Sequence, residues 1–361
     1  MTSDQGTTAA AAETASGASP VPVVQEPLTG DGRSRAGTLL GGVLGSPVGR
    51  SLGLVVALVV LCVVGFATAG QSFTSLDNLL TILRLAAVIG VVSVGMTFVI
   101  TGGGIDLSVG AIVALASVWS TTLATQTFAN SYHWSLIVFT AVLVGTVCGL
   151  VNGVLVAYGR VVPFIATLAM LAAARGLAEI IAQRRTQIVD VPGFTDFFRV
   201  SPFGVPLLVI IFAVVAVIGW VVLNRTTFGR RTFAVGGNPE AARLAGIDVR
   251  RHTVALYAIT GLCSGIAAVM IVARTTTGSS THGGLYELDA IAAVVIGGTL
   301  LSGGRGTIVG TVLGVLIFTT LSNVFTQNNL SSSAQSVAKG IIIVVAVLLQ
   351  QRLARRSNSG T

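Results

Sequence analysis

From Leu107 to Gly159 the chain carries no formally charged residue. A helix lying on a soluble core needs a polar face turned to water, and this stretch has no charges to build one. It is long enough for two helices of about 20 apolar residues, each able to cross a bilayer's hydrocarbon core. The break between them is read at Asn130-Ser131-Tyr132-His133-Trp134. Similar runs recur at Ser51–Leu76, Leu79–Ile100, Val161–Ala182, Val205–Leu223, Thr253–Ala273, Gly306–Phe325 and Ala334–Leu349, with an unusually short one at Ala290–Leu301. The pattern predicts an all-α fold, a polytopic transmembrane helical bundle of about ten spans.

Composition agrees. Hydrophobic residues make up 53% of the 361 and charged residues only 9%, against about 25% in soluble domains. Mean hydropathy is +0.88. Soluble enzymes, nucleic-acid binders and disordered scaffolds are excluded as readings of the whole chain. The net charge of +8 would suggest nucleic acid in a soluble protein. Here the arginines stand between apolar runs and read as topology signals. With the N-terminus inside, Arg33, Arg35, Arg50, Arg160, Arg305, the six arginines between 225 and 251 and the three after 351 are cytoplasmic. Only Arg184, Arg185, Arg199 and Arg274 then lie outside. An even number of spans returns the C-terminus to the cytoplasm.

Residues 1–40 are rich in Ala, Thr, Ser, Gly and Pro and read as a disordered cytoplasmic tail. A secretory signal peptide is the rival reading, with Ala67-Thr68-Ala69 as a cleavage-like site. The apolar run before it is too long and starts too late for that. Residues 50–352 form the transmembrane domain, and 353–361 a short basic cytoplasmic tail. Cys62, Cys148 and Cys263 each sit in an apolar run and read as packing residues. His133, His252 and His282 are scattered, so no metal site is implied.

Two glycine-rich segments interrupt the spans. One is Thr101-Gly102-Gly103-Gly104-Ile105-Asp106-Leu107-Ser108, the other Gly297-Gly298-Thr299-Leu300-Leu301-Ser302-Gly303-Gly304-Arg305-Gly306. Glycine runs hold a helix poorly, and backbone freed at membrane depth needs protein or water as partner. Paired interruptions in two halves point to a transport pathway. Gly102, Gly103, Gly104, Asp106, Ser108, Gly297, Gly298, Thr299, Gly303 and Gly304 are the pathway candidates. Asp106 is costly in hydrocarbon and is a functional candidate on that ground; alternatively it caps the next helix or pairs with an arginine. Neither segment continues into GKS or GKT, so no phosphate-binding loop is present.

Between Asn224 and His252, Asn238-Pro239-Glu240-Ala241-Ala242-Arg243-Leu244-Ala245-Gly246 reads as a short capped helix in the cytoplasm. Asn238 suits the N-cap, Pro239 the first position, Glu240 the positive end of the dipole and Gly246 the stop. Such a helix suits docking into a partner's groove, or lying on lipid held by its arginines. Glu287 and Asp289 precede the short run on the outer side and could receive a basic partner patch, or be solvated or helix-capping charges. Lys339 reads as a snorkelling residue. Gly145-Thr146, Gly149 and Gly153-Val154-Leu155 repeat as Gly306-Thr307, Gly310 and Gly314-Val315-Leu316, from duplication or from the small residues that close helix packing selects.

The segments Gly95–Gly110, Gly237–Ile247 and Val294–Thr307 together resemble the signatures of the ribose/xylose/arabinose/galactoside-type ABC permeases, in that family's order and over about residues 50–352. The run Gly102–Gly104 holds one glycine more than the usual pattern. The resemblance implies the membrane subunit of an ATP-driven sugar importer in the bacterial plasma membrane, not an enzyme itself. Asn238–Gly246 would be the coupling helix. The implied partners are cytoplasmic ATPase subunits that hold ATP and Mg, a second permease chain, an extracytoplasmic sugar-binding protein and lipid, but no nucleic acid. This chain would bind no cofactor. The neighbouring readings are a permease for branched-chain amino acids or nucleosides, or a proton-coupled secondary transporter using Asp106.

Overall fold

The computed structural model describes residues 47–358, and the tail expected over residues 1–40 lies outside them. The chain is almost wholly helical. Helix α1 (Pro47–Ala69) is followed by a single turn at Gln71–Thr74 and by α2 (Leu76–Thr101). After the first glycine segment come α3 (Val109–Ser120), α4 (Leu123–Ser131), α5 (Ser135–Ala157) and α6 (Pro163–Ala182). An outer stretch with β1 (Gln187–Ile188) and α7 (Pro192–Arg199) leads into α8 (Leu207–Arg225). The helices α9 (Thr227–Gly237) and α10 (Pro239–Leu244) then precede α11 (Val249–Thr275). β2 (Thr277–Gly278), α12 (Tyr286–Ile296), α13 (Ile308–Gln327) and α14 (Ser332–Asn358) complete the order.

Seven helices among the described residues are long and apolar enough to cross a membrane, and eight if the bent pair α3–α4 counts as one span. The expectation of ten is slightly more than this. The charge-free stretch Leu107–Gly159 holds α3 and α4, bent by 56°, and then α5. The short run near Ala290 folds as the 11-residue α12, which cannot span alone. α14 continues as helix to Asn358, through most of the segment expected as a tail.

α2, α11 and α13 are the innermost of the spanning helices, and α1 faces outward along almost all its length. Burying an all-apolar helix against others gains little from hydrophobicity in lipid, so close packing and interhelical hydrogen bonds must hold the centre. Both are present. Asn78 of α2 and Asn323 of α13 exchange amide hydrogen bonds of 3.1 and 2.8 Å. Thr97 and Thr311 hydroxyls meet at 2.8 Å, and Thr260 Oγ1 donates to Gly95 O at 3.0 Å. The two strands pair antiparallel, Gln187 with Gly278 and Ile188 with Thr277, tying together the stretches that follow α6 and α11.

The repeated glycines mark close crossings. Gly145, Gly149 and Gly153 of α5 face the backbone of α11 at Gly265, Gly261 and Val254, while Gly310 and Gly314 of α13 face Gly297 and Ala293. A Cβ on Gly149 would lie 2.9 Å from Gly261 Cα and closer still to Tyr257 O. Gly149→Ala is therefore expected to destabilise the fold by about 1–3 kcal/mol, the usual cost of overpacking. Gly176→Ala, which meets open space, is expected to stay within about 0.5 kcal/mol. Thermal unfolding of the two variants in detergent checks this.

Candidate functional site

α2 ends at Thr101, where the glycine run begins, and α3 starts at Val109. Between them the chain turns back among the helices. Asp106 is completely buried, and its Oδ1 accepts from the Ser108 N–H (2.9 Å) and the Ser108 hydroxyl (2.6 Å). Asn152 Nδ2 of α5 donates to Ser108 Oγ at 2.9 Å. Tyr257 Oη of α11 donates to Ile105 O at 3.4 Å. Asp106 holds this turn from within: the N-cap position itself is Ser108, and no arginine pairs with the carboxylate. Two acceptors in the cluster, Asp106 Oδ2 and Asn152 Oδ1, are buried without a donor.

The second glycine segment follows α12 and reaches the first. The Gly304 N–H donates to Thr101 O at 2.9 Å, and Gly303 packs on Gly103. Leu300 N–H donates to Arg305 O at 3.0 Å and closes the segment on itself. The two interruptions, far apart in sequence, thus form one backbone junction. Gly297 packs against the start of α13, whereas nothing lies against Gly298. Thr299 is buried.

The predicted cytoplasmic helix is α10. Asn238 Oδ1 accepts the Ala241 N–H at 3.0 Å, Pro239 occupies the first turn, and Gly246 takes φ +81° after the last turn. Ala242 faces inward, while Glu240, Ala241, Arg243 and Ala245 are exposed and Leu244 is 83% exposed. Glu240 and Arg243 form a surface ion pair of 2.9 Å, worth a few tenths of a kcal/mol at most in such a setting. The helix therefore presents an apolar knob, Leu244, beside a rigid charged pair.

Of the readings open for Glu287 and Asp289, the structure shows the helix N-terminal one. Both lie in the first turn of α12, which turns them into the bundle. Asp289 pairs with Lys339 of α14 (3.3 Å), so Lys339 is an ion-pair partner rather than a snorkelling residue. The ammonium also sits 5.1 Å from the Phe318 ring centre. Glu287 Oε2 is buried without a hydrogen bond and lies against Gly110.

Several residues of this region were not singled out from sequence. Arg175 of α6 reaches across to the loop between β2 and α12, where its Nη1 donates to Ser280 O and to His282 O, the latter at 3.0 Å. Glu287 and Glu179 are its charged neighbours. The signal was available: a lone charge inside an apolar run is a functional candidate by default. Burial first, and then Arg274 and Arg175, hold His282 down at about 4, which keeps it neutral at physiological pH. Asn152 and Gly236 gave no comparable signal, because their partners come from distant segments.

A family model described as branched-chain amino acid transport system / permease component matches residues 78–347. The ribose import permease protein RbsC of Bacillus subtilis is 42% identical over 294 residues, covering 81% of this chain and 90% of that protein. RbsC of Escherichia coli K12 is 38% identical over 292 residues, covering 79% and 89%. The galactose/methyl galactoside import permease protein MglC of Haemophilus influenzae is 34% identical over 295 residues, covering 77% and 87%. No solved structure matches the chain significantly.

Proposed function

Since this chain belongs to the branched-chain amino acid transport system / permease component family, and within it to the sugar ABC permeases, we propose that it lines the import pathway of a monosaccharide transporter and receives the stroke of ATP hydrolysis through α10. It is a multi-pass protein of the bacterial inner membrane. The relatives named above import ribose and galactosides, which supports a sugar over an amino acid. Two copies of the chain would enclose the pathway, cytoplasmic ATPase subunits would hold ATP and Mg, and an external binding protein would deliver the sugar. Both termini would be cytoplasmic, as the arginine bias suggests.

The observation that carries this reading is α10: a short, capped helix with Leu244 bare and the exposed pair Glu240 and Arg243 beside it. A rigid helix can transmit displacement without first paying to become ordered. Closure of the ATPase subunits on ATP would shift α10, and the spans would alternate between outward- and inward-open states.

The test is co-purification in mild detergent from the native host. The chain should retain an ATPase subunit, and Glu240→Trp or Ala241→Trp should lower its retention about tenfold or more, as for a hot spot. The variants should still reach the membrane. Retention unchanged in both variants would remove α10 from the contact.

A further inference from the structure

Two residues before the N-cap of α10, the chain passes through the junction of the two glycine segments. Gly236, in the last turn of α9, has its α-carbon against Thr101 O, the last carbonyl of α2. A Cβ there would clash with that oxygen and lie 2.6 Å from Gly304 N. A Cβ on Gly303 would lie 2.7 Å from Gly236 O and 2.9 Å from Gly103 Cα, and one on Gly304 2.9 Å from Gly237 Cα. Gly103 and Gly303 have φ of +85° and +83°, which L side chains rarely adopt. Thr101 closes the joint from the α2 side. Its hydroxyl is buried without a hydrogen bond and packs on Gly306, whose added Cβ would clash with that oxygen and lie 3.1 Å from Thr101 Cβ.

Three segments therefore meet closely, backbone to backbone at Gly236, Gly303 and Gly304 and through the small Thr101 side chain at Gly306. A contact through flexible side chains absorbs small displacements by changing rotamers. A close-packed backbone contact has no such slack. The hydrogen bond from Gly304 N–H to Thr101 O fixes the register between both interrupted spans at the point where the root of α10 touches them.

We propose that Thr101, Gly236, Gly303 and Gly306 are positioning residues that form a transmission joint, carrying the movement of α10 directly into both interrupted spans. This rests on the reading of α10 as the ATPase-coupling helix, and deepens it.

The test introduces a reporter, Ser302→Cys, on the exposed turn beside the joint, in a chain whose three native cysteines are replaced. The chain is purified with its ATPase subunits, and maleimide labelling of the reporter is timed with and without ATP. No transported solute is needed. The intact joint should show an ATP-dependent change in labelling rate of about fivefold or more, the lower end of typical coupling. Thr101→Ala should bring that ratio close to unity. It opens slack in the joint and forfeits no hydrogen bond from the side chain. Thr101→Ala/Gly306→Ala restores the methyl from the opposite side and should restore the response. Gly237→Ala, where a Cβ meets open space, should leave it unchanged. ATPase subunits must stay bound throughout. Loss of the subunits only in the α10 variants concerns docking, so failure of that reading is scored separately. The proposal is overturned if the intact joint gives no ATP response. A full response in Thr101→Ala, or no recovery in the double variant, overturns it as well.

Discussion

Arg175→Ala is expected to destabilise the chain by about 1–3 kcal/mol, the usual cost of leaving hydrogen-bonding groups unsatisfied, and to abolish uptake. Two losses combine. The Ser280 and His282 carbonyls lose the guanidinium that holds the loop between β2 and α12. Glu287, whose Oε2 already lacks a hydrogen bond, loses its balancing charge. Arg175→Ala/Glu287→Gln should recover most of the stability, because the stranded charge is gone, but not uptake, because the loop remains unheld. Arg175→Lys should give an intermediate phenotype, since one ammonium cannot reproduce a planar fork. Thermal unfolding in detergent and uptake into vesicles separate the two effects. An Arg175→Ala chain that unfolds at the parental temperature would refute the clamp.

Asp106 should show the opposite contrast between two small substitutions. Asp106→Ala leaves the Ser108 N–H and hydroxyl without their acceptor in a completely buried site, at about 1–3 kcal/mol for each unsatisfied group. Asp106→Asn keeps a carbonyl oxygen for both donors. It also replaces the unpaired Oδ2 with an N–H beside the Asn152 amide, whose own oxygen is short of a donor. Asp106→Asn is thus expected to fold within about 1 kcal/mol of the parent, a near-neutral exchange, and to keep transporting. The same variant weighs the proton-coupled alternative. A folded Asp106→Asn chain that has lost uptake would mean that the carboxyl must titrate.

The residues that sequence reading placed well carry their instructions locally. Asn238, Pro239 and Gly246 define α10 through capping, a fixed φ and a left-handed stop, and the helix appears there. Gly102–Gly104 stop α2 where the run begins. What escaped is non-local. Nothing near Gly236 in sequence indicates that Thr101 and Gly304 lie against it. Glu287 and Asp289 looked outward because a charge before a short apolar run usually ends in water. Here Arg175 and Lys339 come from other helices to receive them. The span count came out slightly high for a related reason. A charge-free run states only that lipid or protein surrounds it, and α3 and α12 take the second option in pieces.

Two of the spanning helices differ both in length and in depth in the bundle. α11, among the most enclosed, runs 27 residues, whereas the outward-facing stretch of α1 runs 19. At 1.5 Å per residue these are about 40 and 28 Å, and only the second matches a hydrocarbon core of about 30 Å. α11 therefore overshoots the hydrocarbon core, while the outward-facing stretch of α1 is fitted to its thickness. A thinner or thicker membrane should tilt α1 and α8 first and leave the glycine-packed pair α5–α11 in register. The α5–α11 crossing should therefore respond little to the host's choice of acyl chain.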